Sequence, residues 1–264
     1  MANNVGINNI FSDILNRKYF DGIFSCPKHG DVQNSYYLDE DGDKVWDACP
    51  ECSKEQDLEL EKKRLLEEKQ KQISCWENSN IKEKFFSMTF DDYEVVNDTQ
   101  KLALEKSKAI AEGGNRSLLL LGDNGLGKTM LASLALMKRG GYIYKMYEIV
   151  TQIKSSYKAN SDVDELDILR KLSTCPLLVI DEIGKQFGSE SEKNWLSYVI
   201  DERYERNIPV LLISNLKLMK ECSEEEKKEG LYIERYLGRD SVSRLVECAD
   251  IVTMKGQDYR RKNS

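Results

Sequence analysis

A single histidine, His29, occurs among the 264 residues of the sequence. A Ser-His-Asp or Cys-His catalytic arrangement would have to use that one residue, and it lies between two cysteine-containing turns. Metal sites built mainly from histidine are excluded for the same reason. The sequence therefore argues against the enzyme classes that depend on a histidine base.

Long apolar runs are missing too. No run approaches the ~20 residues that a membrane-spanning helix needs, and the segment 1–9 is polar, without the apolar core of a signal peptide. We therefore expect a soluble cytoplasmic protein with no membrane partner. The net charge of −7 argues against a protein that coats nucleic acid by bulk charge, while a local basic groove is compatible with it.

The seven cysteines do not follow the pattern of a disulfide framework. Three of them cluster around His29, and in a cytosolic chain such a cluster binds a metal more often than it forms a disulfide. The other four are isolated in the sequence: Cys75, Cys175, Cys222 and Cys248.

The sequence divides into three parts, in keeping with one large domain and a small one. In residues 1–52, apolar positions at helical spacing predict a short amphipathic helix, which is followed by a turn-rich, cysteine-containing module. Residues 53–75 carry balanced charges without glycine or proline, which predicts a charged linker helix; a coiled coil is less favoured because the heptads are not sustained. Residues 76–264 form the third part. The apolar positions of the first helix are Ile7, Ile10, Phe11, Ile14 and Leu15.

From residue 76 onward, strand-like apolar runs alternate with amphipathic segments. This alternation predicts an α/β fold with a mostly parallel sheet and helices on both faces. The runs at 117–121 and 177–180 are apolar without alternation, as expected for central strands buried on both sides. The other predicted strands are 142–147, 210–214 and 250–254, and the predicted helices are 98–112, 128–138, 148–158, 163–172 and 191–206.

The segment 122–129, GDNGLGKT, matches the phosphate-loop pattern G-x-x-x-x-G-K-[ST] between a predicted strand and a predicted helix. Glycines let the backbone wrap closely around phosphate, and the amides of the first helical turn point at the anion. Lys128 would place a cation on the β- and γ-phosphates, and the Thr129 hydroxyl would bind Mg²⁺. A glycine turn that merely contains a lysine would not explain the flanking strand and helix. The predicted ATP-binding residues are Gly122, Asp123, Asn124, Gly125, Leu126, Gly127, Lys128, Thr129 and Met130.

A second element supports an ATP and Mg²⁺ site. The strand LLVIDE at 177–182 ends in two acids. Asp181 would hold the Mg²⁺ shell, and Glu182 would orient and polarise the water that attacks the γ-phosphate. The alternative is a strand that simply ends in a polar turn.

Two further polar residues suit catalysis at the same site. Asn215 follows the strand VLLIS, where its amide could position the attacking water; the alternative is an ordinary loop asparagine. Arg244 precedes the last predicted strand, and an arginine supplied by a neighbouring subunit would make hydrolysis depend on assembly. Surface arginines are common, so a solvated side chain is the alternative there. The predicted catalytic residues are Glu182, Lys128, Asn215 and Arg244.

Several motifs together resemble those of the AAA+ ATPases of the DnaC/DnaI helicase-loader type, which are close to the IstB-like transposition ATPases. They are GDNGLGKT, LLVIDEIG, IDERYERNIPVLLISNL and the ending LGRDSVSRL…DYR, within residues 75–262. The phosphate motifs are shared by many ATPases, so the order DERY, ISNL and G-R-x-x-x-S-R-L is the diagnostic part. The resemblance implies an AAA+ P-loop fold. We expect a reduced lid, because only about ten residues follow the last predicted strand.

The resemblance also implies roles and partners. Asn215 would be the sensor residue, Arg244 the arginine finger acting in trans, and Arg260 a second sensor that contacts the nucleotide. Such loaders bind the replicative hexameric DNA helicase through an N-terminal region. They use the ATPase domain to assemble on one another and on single-stranded DNA.

The N-terminal cluster has metal-ligand spacing. Cys26 and His29 form C-x-x-H, and after 19 residues Cys49 and Cys52 form C-x-x-C. Tight turns of this kind place two ligands ~3.5–4 Å apart, as in a zinc tetrahedron. The sequence between them predicts a β-hairpin, and so a small zinc-ribbon-like module that holds Zn²⁺ with three thiolates and one imidazole. A redox-active CxxC, which lacks its usual βαβ surroundings here, and chance clustering are the alternatives.

Nucleic-acid contacts are harder to place. Basic clusters occur at 138–139, 154–158 and 260–262, and Tyr142, Tyr144, Tyr147 and Tyr157 lie near them in the sequence. Stacking on tyrosine beside a cationic groove holds single strands without sequence preference. Lysines on an exposed helix are usually just solvated, which is the alternative.

An ATP-dependent loader of a replicative helicase is the leading function. The alternative is an IstB-like transposition helper ATPase acting on duplex DNA, which the zinc module and the acidic net charge disfavour. A small-molecule kinase is disfavoured because Glu182 is placed to activate water. A zinc-dependent scaffold that binds ATP without turnover is the remaining hypothesis.

Overall fold

The computed structural model describes residues 17–158, 163–185 and 188–259. Contacts between Cα atoms divide the chain into two units, Met1–Gln72 and Ile73–Ser264. The amphipathic helix predicted around Ile7 to Leu15, and Arg260, lie outside the described residues. Within the described ranges, no helix has both the length and the apolar character needed to cross a bilayer.

The first unit contains a three-stranded antiparallel sheet in the order β1-β2-β3. Its strands are β1 (Phe20–Cys26), β2 (Gly30–Leu38) and β3 (Lys44–Trp46). The pairing of β2 with β3 confirms the predicted hairpin, whose turn is held by the Asp39 carboxylate as it accepts the N–H groups of Asp41 and Asp43. β1 was not predicted.

One face of this sheet is aromatic. The ring of Trp46 lies 4.8 Å from that of Tyr36 and 5.6 Å from that of Phe24. Gly22 makes room for it, since a Cβ there would lie 2.8 Å from the Trp46 ring. Most of these side chains stay half-buried, so the sheet has little core of its own.

A helix of 29 residues, α1 (Pro50–Asn78), follows the sheet. The charged helix predicted over 53–75 is therefore present, with three more residues at each end. None of its residues is buried, and Leu58 and Leu65 are more than half exposed.

The second unit contains a five-stranded parallel sheet in the order β5-β6-β7-β4-β8. Its strands are β4 (Ser117–Leu121), β5 (Tyr142–Lys145), β6 (Leu178–Ile183), β7 (Val210–Ser214) and β8 (Ala249–Thr253). Its helices are α2 (Asp98–Ala111), α3 (Lys128–Arg139), α4 (Met146–Ser156), α5 (Glu165–Thr174), α6 (Glu190–Glu205), α7 (Glu224–Glu229), α8 (Glu234–Leu237) and α9 (Arg239–Cys248). Short 3₁₀ turns occur at Glu83–Phe85, Phe90–Asp92 and Met219–Glu221.

The core lies on both faces of this sheet. On β4, Leu119 and Leu121 pack with residues of α4, α5 and α6, whereas Leu118 and Leu120 pack with residues of α2 and α3. Every residue of β4 is buried, as is every residue of β7. Helices on both faces explain why these strands are apolar without alternation, and they confirm the predicted α/β fold.

The largest differences in element boundaries from the prediction are at β5 and β6. The predicted strand 142–147 is too long, because buried residues with helical spacing begin at Met146 and the Glu148 carboxylate accepts the Lys145 N–H to start α4. Helices α7, α8 and α9 were not predicted. At β6 the strand continues to Ile183, with an irregularity between Ile180 and Ile183 in its pairing with β7.

Candidate nucleotide site and cysteine–histidine cluster

The loop from β4 to α3 is shaped by glycines in the left-handed region. Gly125 and Gly127 have φ values of 80° and 79°. A Cβ at Gly127 would lie 2.5 Å from Cε2 of Tyr93, and one at Gly125 would lie 1.7 Å from the Asp258 carboxylate. No other residue fits these two positions without a shift of the surroundings. Tyr93 also donates to the Leu126 carbonyl at 2.9 Å, which holds the loop in place.

Lys128 lies at the centre of this loop and is only 6% exposed. Its Nζ donates to the carbonyls of Gly122 and Asp123, at 2.5 and 2.6 Å, and to Oδ1 of Asn215 at 3.0 Å. The ammonium group is therefore surrounded by oxygens on the phosphate-loop side. Phosphate oxygens are ligands of the same kind and carry full negative charge, so the site suits a triphosphate.

Thr129 and Asp181 meet at the carboxyl edge of the sheet. The Thr129 hydroxyl donates to Oδ2 of Asp181 at 2.8 Å, and Oδ1 of Asp181 accepts the N–H of Glu182 at 2.7 Å. A hydroxyl and a carboxylate at this distance are oxygen ligands of the kind that Mg²⁺ prefers. The structure therefore brings together the two residues predicted to hold the cation.

Glu182 has an unusual backbone and two cationic neighbours. Its φ is 59°, which costs about 1–3 kcal/mol for a residue other than glycine and is typical of functional sites. Its Oε1 lies 3.3 Å from Nζ of Lys145 and 3.2 Å from Nζ of Lys185. Burial opposes the charged form, but the two ammonium groups outweigh it and hold the pKa of Glu182 below its ordinary value. The carboxyl group is therefore an anion, able to accept a proton.

Asn215 completes the predicted set on the strand next to β6. Its Oδ1 accepts from Lys128, and its Nδ2 donates to Oδ1 of Asn124 at 2.9 Å. It thus links the end of β7 to the phosphate loop.

These residues line one cleft of about 390 Å³. Sequence reasoning missed three lysines there, Lys82, Lys84 and Lys185. Lys82 directly precedes the 3₁₀ turn Glu83–Phe85 and Lys84 lies within it, and Phe85 of that turn is buried, so the turn fixes the position of both lysines. In the sequence IKEKFF, both lysines lie between apolar residues. This pattern was the signal available in the sequence. The predicted residues that line the cleft are Asn124, Gly125, Leu126, Gly127, Lys128, Thr129, Met130, Asp181, Glu182 and Asn215.

Arg244 is not among the residues that line this cleft. Its Nη1 lies 2.7 Å from Oδ1 of Asp201 on α6, and the two side chains are 32% and 29% exposed. The arginine therefore contributes no surface to the cleft of its own chain.

The four predicted metal ligands converge in the first unit. The ligand atoms of Cys26, His29, Cys49 and Cys52 all lie within 4.8 Å of one another. Sγ of Cys26 is 3.7 Å from Sγ of Cys52 and 3.7 Å from Nδ1 of His29. A tetrahedral zinc site with Zn–S bonds of ~2.3 Å has edges of about 3.8 Å. The spacing and the donor set therefore fit a structural zinc ion.

The groups around the cluster support the same assignment. The other ring nitrogen of His29 lies 3.3 Å from Oε1 of Glu55, which leaves Nδ1 to face the sulfurs. Backbone N–H groups of Lys28 and His29 lower the pKa of Cys26 to about 6. The hydrogen bond with Cys26 raises the pKa of Cys52 to about 11.

The residues considered for nucleic-acid contact fall into two groups. Arg139 is tied to the carbonyls of Ile110 and Gly114, and Tyr144 is buried, so neither is free to bind. Tyr147 and Tyr157, in contrast, are 68% and 61% exposed.

The family model of the IstB-like ATP binding proteins matches residues 56–264. A curated relative named replicative helicase loader DnaC, from Buchnera aphidicola subsp. Acyrthosiphon pisum, is 32% identical over 146 residues. The match covers 52% of this chain and 59% of the relative, so it spans little more than half of that protein's length.

Two solved structures show the fold. The crystal structure of the DnaC helicase loader has a TM-score of 0.53 and 23% identity, with 66% of this chain and all of that chain covered. The crystal structure of DnaI has a TM-score of 0.50 and 18% identity, with 66% of this chain and 95% of that chain covered. The similarities confirm the predicted AAA+ fold and the resemblance to the helicase-loader ATPases.

Proposed function

Because the chain belongs to the family of IstB-like ATP binding proteins, we propose that it is an ATPase that loads a replicative hexameric DNA helicase onto single-stranded DNA. The main support is the convergence of Lys128, Thr129, Asp181, Glu182 and Asn215 in one cleft. The similarity to proteins named as replicative helicase loaders supports a replicative helicase as the protein that is loaded.

The cleft suits ATP hydrolysis with Mg²⁺. Bound Mg²⁺ neutralises charge on the triphosphate, and Thr129 and Asp181 would hold it. Lys128 exchanges its carbonyl partners for phosphate oxygens. Glu182 accepts the proton of the attacking water, and the Asn215 amide orients that water toward the γ-phosphate.

Replacing Lys128 by alanine is expected to raise the dissociation constant for ATP roughly 10–100-fold, since charged hydrogen bonds contribute about 1.5–3 kcal/mol. Isothermal titration calorimetry with ATP and Mg²⁺ measures the change. Lys101→Ala is the control, because Lys101 is exposed on α2 and is not among the cleft residues. Equal affinities of the Lys128→Ala variant and the wild type would rule out the phosphate-loop assignment.

Arg244 would act on the nucleotide of a neighbouring copy. Its absence from the lining of its own cleft and its partial exposure support this role, and hydrolysis would then depend on self-assembly.

The Arg244→Ala variant is expected to bind ATP as the wild type does but to lose the assembly-stimulated part of hydrolysis, by roughly tenfold or more. The turnover rate is measured as a function of protein concentration. This rate should rise steeply with concentration for the wild type and stay flat for the variant. Arg206→Ala is a matched control, because Arg206 pairs with Glu202 near the same surface. Turnover that rises equally in Arg244→Ala would refute the trans role.

The first unit would hold Zn²⁺ and contact the helicase. Its closed set of three sulfurs and one imidazole leaves no open position for catalysis. Exposed apolar side chains, such as Ile23 at 72% and Leu38 at 49%, suit a protein partner better than DNA.

The contact with single-stranded DNA would lie on α4. Tyr147, Thr151 and Lys154 are exposed there at helical spacing, so they share one side of the helix. A tyrosine and a lysine on one helix face supply base stacking and phosphate contact without sequence preference.

The loading step is tested with the full chain, the hexameric helicase of the same cell and circular single-stranded DNA. We expect ATP-dependent transfer of helicase onto the circle, measured by gel filtration of labelled components. Failure to bind the helicase would refute the proposal, and preferential action on duplex DNA would favour the transposition-helper alternative.

A further inference from the structure

A second cavity of about 350 Å³, which we call the side cavity, adjoins the nucleotide cleft and is lined by residues of α3, β5 and α4. The two spaces share Lys82, Thr129 and Asp181, so the side cavity opens beside the place predicted for Mg²⁺. Its lining also includes Glu148 and Gln152, which are exposed on α4. The side cavity therefore extends from the predicted cation site to the surface of the protein.

The lining of the side cavity includes a buried hydroxyl group without a partner. Ser133 lies one turn after Thr129 on α3 and is 1% exposed, and its Oγ has no hydrogen-bond partner in the part of the chain that the structure describes. A buried hydroxyl that makes no hydrogen bond destabilises the fold. A ligand in the side cavity that accepts a hydrogen bond from Ser133 would satisfy it.

Three more hydrogen-bond donors line the side cavity, and their side chains are unpaired among the described residues. They are the Lys82 ammonium group and the amides of Asn80 and Gln152. The Ser79 carbonyl accepts the Ile143 N–H at 3.0 Å, which fixes Asn80 beside β5. With Ser133, the side cavity thus presents one cationic and three neutral donors.

The acids of the side cavity are already engaged. Glu148 accepts the Lys145 N–H at 2.8 Å, and the two oxygens of Asp181 accept hydrogen bonds from the Thr129 hydroxyl and the Glu182 N–H. The Lys145 ammonium group is in turn held by Glu182 at 3.3 Å. The polar groups left over can all donate, and a tetrahedral oxyanion satisfies several donors at once because it accepts hydrogen bonds in several directions.

The proposed reaction makes such an oxyanion beside the side cavity. Attack of water on the γ-phosphorus forms a new P–O bond and breaks the bond to the oxygen that ADP keeps, while Glu182 accepts a proton from the water. The products are ADP and orthophosphate. Orthophosphate is formed at the end of the cleft where Thr129 and Asp181 would hold Mg²⁺, and both residues also line the side cavity.

We propose that the side cavity is a product site, which takes up orthophosphate after hydrolysis and leads it to the surface at α4. This inference rests on the proposed function, because hydrolysis supplies the ligand. Lys82 and Ser133 bind the anion beside the cleft, and Gln152 binds it near the exit. Such a route lets phosphate leave while ADP stays on the phosphate loop.

The test measures the binding of inorganic phosphate to the full chain saturated with ADP and Mg²⁺, by equilibrium dialysis with labelled phosphate. Ser133→Ala removes the unpaired hydroxyl and is expected to weaken phosphate binding roughly tenfold, because a hydrogen bond to a charged ligand is lost. Ser107→Ala and Ser173→Ala are matched controls. Both serines are buried, each with an Oγ that has no partner among the described residues, and neither lines the side cavity. Both controls should bind phosphate like the wild type.

A change of charge at the exit tests the same site in both directions. Gln152→Lys adds a cation to the side cavity and is expected to strengthen phosphate binding several-fold, whereas Gln152→Glu adds an anion of similar shape and should weaken it. Ser155→Lys is the control, because it adds the same charge at an exposed position of α4 that does not line the side cavity. Its affinity for phosphate should stay close to that of the wild type.

The result that would overturn the inference is a chain that hydrolyses ATP while Ser133→Ala and both Gln152 variants bind phosphate like the wild type. Phosphate would then stay in the cleft, and the proposed function would be intact. An equal loss of binding in Ser107→Ala or Ser173→Ala would also overturn the inference. A chain that binds phosphate through Ser133 but does not hydrolyse ATP would instead overturn the proposed function, and with it the source of the phosphate.

Discussion

Replacing Glu182 by glutamine is expected to lower the rate of ATP hydrolysis about 10³-fold while ATP binding stays nearly unchanged. Glutamine keeps the size and hydrogen-bonding shape of glutamate but cannot accept the proton of water, and a general base contributes about 10²–10⁴-fold. In the proposed function the carboxylate is not needed to hold the triphosphate, because that role is assigned to Lys128 and the loop amides. Single-turnover release of phosphate measures the rate, and calorimetry measures the affinity.

Glu190→Gln is the matched control for this variant. Glu190 lies in the first turn of α6, where its side chain is 84% exposed and pairs with Lys193, so the same chemical change there should leave hydrolysis unaltered. If the Glu182→Gln variant hydrolyses ATP at the wild-type rate, Glu182 is not the general base. That result would remove the main support for an ATPase.

The surroundings of Glu182 keep its carboxyl group ionised. Lys145 comes from the end of β5 and Lys185 from the turn after β6, and both ammonium groups favour the charged form. The irregularity of β6 between Ile180 and Ile183 takes Asp181 and Glu182 out of regular pairing with β7. Their side chains are therefore free of the regular alternation between the two faces of the sheet and can point into the cleft.

Much of the fold was predictable, because the relevant signals are local. A strand buried on both faces needs consecutive apolar residues, so the runs that became β4 and β7 were recognisable without knowledge of their neighbours. The end of β5 was not, since Met146 is apolar whether it continues a strand or starts a helix. Only burial against α5 and α6 decides between the two.

The residues of the candidate site also divide into those that a local motif predicts and those that only the fold brings together. Residues within one loop, such as Lys128 and Thr129, follow from a motif whose spacing has a physical cause. Lys82 and Asp201 come from distant parts of the chain, and only the sheet order brings them near the phosphate loop and Arg244 respectively. Lysines and aspartates of this kind are common on helix surfaces, so the sequence contains nothing that distinguishes them.

Replacing Cys49 by serine is expected to abolish binding of one zinc ion per chain and to unfold the sheet of the first unit. Structural zinc contributes about 10–16 kcal/mol of apparent binding energy in small modules, and this sheet has little buried core to replace it. Elemental analysis measures the metal. Hydrogen exchange of β1 and β2, followed by mass spectrometry, measures the structure.

Cys75→Ser is the control for the same chemical change, because Cys75 is an exposed cysteine outside the cluster. It should keep its zinc and the slow exchange of β1 and β2. ATP affinity checks that the rest of the protein is intact, since Lys128 and the other predicted nucleotide-binding residues lie within Ile73–Ser264. A chelator added to the wild type should reproduce the effect of Cys49→Ser. If exchange in β1 and β2 stays slow after the metal is removed, the aromatic packing around Trp46 alone stabilises the sheet and the metal has another role.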